Sequence, residues 1–244
     1  MPEFNLKIAG HTARVTSLFE STPQYFRAYL TEESAEFSVS VTPEDLAFEQ
    51  ADLLEEALRE GFKPRAFTDP FLERASIQRR FAEFLLDHDT LLLHGSAIAV
   101  DGQGYLFTAD SGTGKSTHTR LWREAFGDRA VMVNDDKPFV ALTQDGVILH
   151  GSPWSGKHGL DTNIAVPLKG ICLLTRGAEN RIASATPEAL LPMLEKQAYA
   201  PLTAEKAAIS HALLRQLSQR IPLWHMACNK NPDAARIAAT AMRE

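Results

Sequence analysis

The stretch best equipped for chemistry is Ala109-Asp110-Ser111-Gly112-Thr113-Gly114-Lys115-Ser116, followed by Thr117. It fits the relaxed Walker A pattern, with Ala109 where the strict pattern has glycine. Gly112 and Gly114 allow backbone conformations that a Cβ would forbid, and a close approach to phosphate oxygens. Backbone N–H groups then converge at a helix N-terminus, where the helix dipole favours an anion. Lys115 supplies a cation for β/γ-phosphate oxygens, and the Ser116 hydroxyl is placed to ligate Mg²⁺. A plain glycine turn is the bland alternative, but an apolar strand precedes this one and an amphipathic helix follows it. Ser111, Gly112, Thr113, Gly114, Lys115, Ser116 and Thr117 are therefore expected to bind nucleotide. Asp110 suits no anion and is expected to point outward.

Asp135 and Asp136 end the short apolar run Val131-Met132-Val133. A carboxylate at the C-terminal end of a buried strand beside a phosphate loop is the usual arrangement for holding Mg²⁺. Neighbouring side chains at a strand end leave on opposite faces, so one carboxylate can face metal while the other accepts a proton. The expected division is Asp135 as base and Asp136, with Ser116, as metal ligand. A solvated acidic turn is the alternative. Residues Gly151–Gly159 have loop composition, and a loop of this polarity near a site can bind substrate. Lys157 is its candidate second cation for a transferring phosphoryl group. Arg176 and Arg181 could serve the same end.

These groups need a framework. Leu91–Val100 and Tyr105–Thr108 read as two strands joined at Asp101-Gly102-Gln103-Gly104, which is good hairpin-turn chemistry. A helix is expected over Thr117–Phe126, a strand over Ala130–Val133, and a second hairpin from Phe139–Leu142 and Val147–Leu149. Gly170–Leu174 reads as a buried strand. Helices follow over Pro187–Ala198, Ala204–Ser218 and Pro232–Met242, with a strand over Ile221–Cys228 between the last two. Hairpins on both sides of the loop unit argue against βα units in series, so the sheet is expected to be mixed or largely antiparallel. Upstream, Leu6, Ile8, Val15 and the alternating Phe37–Val41 suggest short strands. Thr42-Pro43 opens a helix carrying Leu46, Leu53, Leu54, Ala57 and Leu58, which Gly61 stops. Asp69-Pro70 opens another with Ile77, Phe81, Phe84 and Leu85 on one stripe. The weakest seam is Gly61-Phe62-Lys63-Pro64.

The chain has 244 residues, 44% hydrophobic and 23% charged, so a buried core is possible and wholesale disorder is excluded. Its formal net charge of −6 argues against nucleic acid or anionic lipid as partner. Cys172 and Cys228 sit in apolar runs and read as core residues of a reducing compartment. With no signal-peptide pattern and no apolar run near membrane length, a soluble cytoplasmic protein is expected. The oligomeric state stays open, a homo-oligomer included.

A strand carrying His94-Gly95, the loop Ser111–Thr117 and Val133-Asn134-Asp135-Asp136, in that order, resemble the C-terminal domain of HPr kinase/phosphorylase over roughly residues 88–177. That domain shares its fold with phosphoenolpyruvate carboxykinase. The resemblance implies an α/β, phosphoenolpyruvate-carboxykinase-like P-loop core (residues 89–244) with a mixed, largely antiparallel sheet. Residues 1–88 would then be a small N-terminal α+β region for packing or acceptor recognition. It implies ATP and Mg²⁺ as cofactors and phosphoryl transfer to a hydroxyl, with serine in a protein, peptide or small molecule as acceptor. By motif match His94, Lys115, Ser116, Asp135 and Asp136 carry over as active-site positions. A histidine in an apolar strand is more often a core residue; for His94 the neighbouring motifs reverse that reading. Downstream, Gly151–Gly159 replaces the family's own signature, and the chain is short for a carboxykinase. A regulatory nucleotide-binding module with little or no transfer is the alternative. A second carboxylate and a histidine favour the kinase, since a pure binder needs neither.

Overall fold

The computed structural model describes residues 1–59, 61 and 63–243, which form two compact units, Met1–Phe84 and Leu85–Glu244. Part of the expected seam at Gly61–Pro64, residue 62, lies outside the described residues. Among the described residues no helix is long and apolar enough to cross a membrane.

In the first unit β1 (Glu3–Ile8) and β2 (His11–Thr16) form an antiparallel hairpin. After the short helix α1 (Thr22–Tyr25), β3 (Leu30–Thr31) pairs with β1 and β4 (Phe37–Ser40) runs parallel to β2, giving the order β3-β1-β2-β4. Helix α2 (Pro43–Arg59) opens as expected: Thr42 Oγ1 accepts from the Asp45 N–H (3.4 Å) and Asp45 Oδ2 accepts from the Thr42 N–H (3.0 Å), a reciprocal cap. Its buried face differs from the expected leucine stripe. The most buried side chains include Asp45 and Glu49, while Leu58 is exposed. Arg79 of α3 (Asp69–Leu86) reaches both carboxylates and makes that burial tolerable. Ile77, Phe81 and Leu85 of α3 are fully buried, as their spacing requires.

The second unit is a mixed sheet with helices on both faces. Its strands are β5 (Thr90–Leu92), β6 (Ser96–Val100), β7 (Gln103–Thr108), β8 (Ala130–Asn134), β9 (Phe139–Leu142), β10 (Val147–His150), β11 (Ala165–Arg176), β12 (Arg181–Ser184) and β13 (Leu223–Cys228). They run in the order β5-β9-β10-β11-β7-β6-β8, with β13 on β11 and β12 on β13. β7, β11 and β13 are parallel neighbours; the remaining pairs are antiparallel. The helices are α4 (Lys115–Phe126), α5 (Pro187–Gln197), α6 (Ala204–Arg220) and α7 (Asp233–Arg243). Strand alternation sorts the core. Leu106 and Ile171 face a layer with Leu190, Leu194, Leu213 and Leu217 of α5 and α6. Tyr105, Phe107 and Cys172 face a layer with Leu121 and Trp122 of α4 and the alanines of α7.

The expected single strand Leu91–Val100 is two strands. β5 pairs with β9, whereas β6 pairs with β7 and β8 near the other end of the order. The three residues between them span at most about 10 Å, so the sheet must curl to bring its ends together. Gly95 fits the crossing because a Cβ there would lie 2.7 Å from Leu106 Cδ1 and 2.9 Å from the Phe107 carbonyl oxygen. Asp101 (φ +53°) and Gly102 (φ +75°) turn β6 into β7 with two left-handed residues, a type I′ turn.

Candidate active site

β7 runs buried to Thr108 and delivers the glycine-rich loop to the start of α4. Gly112 (φ +72°) and Gly114 (φ +122°) take backbone conformations closed to most side chains. Gly114 caps α4 without a side-chain hydrogen bond, which leaves first-turn N–H groups without a partner from the cap. Lys115 Nζ lies over the loop and donates to the Ala109 carbonyl at 3.0 Å. Arg176, at the end of β11, donates to the Gly112 carbonyl at 2.8 Å. Asp110 is exposed and pairs with Lys196, so it points outward as expected. Arg181 stands apart, paired with Glu179.

β8 ends on Asn134, which is fully buried. Its Oδ1 accepts from the backbone N–H groups of Asp136 (2.7 Å) and Lys137 (2.6 Å). Its Nδ2 donates to the Ser152 carbonyl at 2.8 Å and lies 3.0 Å from Ser152 Oγ. Ser152 Oγ in turn donates to the Lys137 carbonyl at 2.6 Å. One amide thus ties the acidic turn to the Gly151–Gly159 loop. In that loop Gly156 (φ +69°) packs against Asp136: a Cβ on it would lie 3.3 Å from Asp136 Cβ. Lys157 follows directly, exposed, in the single turn Gly156–His158.

Asp135 is nearly buried and accepts a 2.6 Å hydrogen bond from Ser96 Oγ. Asp136 Oδ1 lies 3.2 Å from His94 Nε2. His94 is held in the strand crossing by its N–H to the Gln197 carbonyl (2.7 Å), while Gly95 N–H donates to the Asp136 carbonyl (2.9 Å). Burial, then the Lys137 and Lys115 cations, push the His94 pKa down to about 2. The contact is therefore a close approach of a neutral imidazole to a carboxylate rather than an ion pair. His118 is structural: it is buried against Phe107, accepts from Trp122 Nε1 at 3.0 Å, and burial takes its pKa to about 4. Burial likewise raises the Cys172 thiol, which has no part here.

Of the residues expected from sequence, His94 contacts Asp136, while Asp135 is joined to the loop helix through Ser96. The Lys115 cation acts on His94 in the same direction as burial. Ser96, Asn134 and Lys137 are contributors that no sequence pattern singled out as site residues. Ser116 and Asp136 offer the hard oxygen donors that Mg²⁺ takes. Among the described residues no group of three or more His, Cys, Asp or Glu forms a metal cage, and Mg²⁺ carried on nucleotide phosphates asks for only one or two carboxylates.

No family model matches this chain, and no curated protein matches it. Among solved structures, the Hpr(Ser) kinase/phosphatase from Coxiella burnetii aligns at 11% identity over 62% of this chain and 92% of that one, with a TM-score of 0.37. It is a distant likeness.

Proposed function

We propose that this protein is a Mg²⁺–ATP-dependent kinase of the HPr-kinase-like type, transferring a phosphoryl group to a hydroxyl acceptor. The observation that carries this reading is a convergence: Thr119 of the loop helix meets Asp135 through Ser96, and His94 stands 3.2 Å from the adjacent Asp136. A loop that only binds nucleotide needs no such neighbour.

In this reading the N–H groups of Ser111–Thr117 and the Lys115 ammonium hold the β/γ-phosphates. Asp136 and Ser116 would hold Mg²⁺, which neutralises charge on the phosphates when bound. Neutral His94 stands 3.2 Å from the Asp136 carboxylate and does not compete with a cation for it. Asp135 takes the proton from the acceptor hydroxyl, a general-base role. Lys157, and Arg176 through its place on the loop, add positive charge around the transferring group. The acceptor is a serine in a protein, a peptide or a small molecule, in the cytoplasm.

The test is transfer of label from γ-labelled ATP to free L-serine or a serine-containing peptide, with and without Mg²⁺. Label in the acceptor supports the kinase. Tight Mg²⁺–ATP binding without transfer would make the protein a nucleotide-binding switch.

A further inference from the structure

Two buried hydroxyls join the halves of this site. Ser96 lies in β6, between the strand that delivers the phosphate loop and the strand that delivers Asp135. Thr119 lies in α4, on the turn after Ser116. Ser96 is 0% exposed and Thr119 1%. Ser96 Oγ donates to Asp135 Oδ1 at 2.6 Å and lies 2.7 Å from Thr119 Oγ1. Serine has one hydroxyl proton, and a carboxylate that is to receive a proton can only accept. The Ser96 proton therefore goes to Asp135, and Thr119 is the donor to Ser96. The Thr119 hydroxyl also lies 3.4 Å from the Lys115 carbonyl and 3.3 Å from that of Ser116. With its one proton on Ser96, Thr119 makes no hydrogen bond to these carbonyls, and the helix is joined to one oxygen of Asp135 through the Thr119 side chain and Ser96.

We infer that Ser96 and Thr119 are positioning residues that fix the Asp135 carboxylate to the phosphate-loop helix, so that base and phosphate site keep one geometry. The inference rests on the proposed kinase reading in taking Asp135 as the base. Rotation of an aspartate carboxylate about its last bond is only weakly restrained. Besides this bridge, α4 and β8 share an apolar layer that includes Leu121, Trp122 and Met132, and apolar contact is non-directional. The hydroxyl pair supplies the direction. It anchors one oxygen and leaves the other to face the acceptor, and misplacement of about 1 Å in such a group costs roughly 100-fold in rate.

The test uses the full chain and the variants S96A, S96T, T119V and T119S. Turnover is read as ADP release from Mg²⁺–ATP with free L-serine added, and Mg²⁺–ATP affinity by calorimetry. S96A is expected to keep affinity within about twofold and to lower kcat about 10- to 100-fold. S96T restores kcat, T119V lowers it less, and T119S restores it. Wild-type kcat in S96A, equal losses in S96A and S96T, or a loss that falls on affinity instead of kcat would overturn the positioning role. A wild-type chain without turnover would fail the kinase reading instead. The bridge is then decided by urea unfolding of D135N, T119V and their double variant, each with and without S96A. Coupling between positions 135 and 119 that disappears with S96A sustains the bridge; coupling that is absent, or untouched by S96A, overturns it.

Discussion

The two units hold acidic pairs in contrasting ways. In the first, Asp45 and Glu49 stand one helical turn apart on α2 and meet guanidinium groups directly: Arg79 at 3.1 Å and 2.6 Å, and Arg80 on Asp45 at 2.8 Å. Burial pushes the Asp45 carboxyl up, but hydrogen bonds from Arg80 and Thr42 outweigh it and hold the group below its ordinary value. At Glu49 burial wins over Arg79, and the carboxyl is raised. In the second unit Asp135 and Asp136 are adjacent at a strand end; a hydroxyl bonds the first and a neutral imidazole stands 3.2 Å from the second. The same residue type serves as a closed clasp in one place and as a poised group in the other. Guanidinium partners spend a carboxylate on the fold, whereas neutral partners orient it and leave its charge for chemistry.

The contrast breaks first at Asp135. Replacing it with Asn keeps its shape but removes the base, and turnover should fall 10²–10⁴-fold, roughly, while Mg²⁺–ATP affinity holds; Asp136→Asn should weaken Mg²⁺-dependent binding as well. Calorimetry beside steady-state rates separates the two, and the opposite pattern would exchange their roles. Next is the clasp. Arg79→Ala strands buried carboxylates and should cost about 3–5 kcal/mol in urea unfolding of the first unit, with Mg²⁺–ATP affinity unchanged. A loss of affinity in that variant would end the division between clasp and poised pair. Lys115→Ala removes a charge-assisted contact worth about 1.5–3 kcal/mol, so nucleotide affinity should drop roughly tenfold to a hundredfold. Unchanged affinity by calorimetry would remove the phosphate-loop assignment.

The smallest effect concerns acid. The Asp45 carboxyl is depressed in the folded chain, so its contribution is present above its ordinary value of 3.8 and is lost as pH falls through the folded value. Glu49 is raised above 4.5, so its contribution has the opposite sign: it is present below 4.5 and lost as pH rises through the folded value. Unfolding curves between about pH 5 and pH 3 should therefore show Asp45→Asn flattening the acid loss, and Glu49→Gln steepening it. Parallel curves for the two variants would refute the assignment.

What could be read from the sequence was what consecutive residues carry by themselves. The loop Ser111–Thr117 carries its glycine pattern in one run, and the turn Asp101-Gly102 declares its hairpin. The break at His94-Gly95 was hidden because apolar residues flank it on both sides, and only the change of pairing partner separates β5 from β6. β12 was missed because Arg181-Ile182-Ala183-Ser184 has no apolar run, and the first half of β11 because Pro167 argues against a strand. Loop composition points to Lys157, but the approach of Gly156 to Asp136 beside it is invisible to composition. Ser96 and Thr119 look like ordinary small residues in a strand and a helix. Their meaning lies in a contact across the sheet, which no periodicity reports. On α2, apolar spacing named leucines while Asp45 and Glu49 lay buried, because guanidinium groups from a distant helix altered what could be buried.

The curl of the second unit's sheet has a consequence for its neighbours in a crowded solution. Strand edges invite pairing with other chains. Here β5 is met by the segment after α5, with Tyr199 N–H on the Leu92 carbonyl (2.9 Å) and a bridge between Leu93 and Ala198. β8 is met by Asp161 and Thr162, through a bridge from Asn134 and the Thr162 N–H on the Val133 carbonyl (3.2 Å). Among the described residues of this unit, the edge left is β12, four residues long and carrying the exposed Arg181. A short, charged edge is a poor template for strand addition. The edges of the sheet that carries the site therefore offer another chain little backbone to pair with.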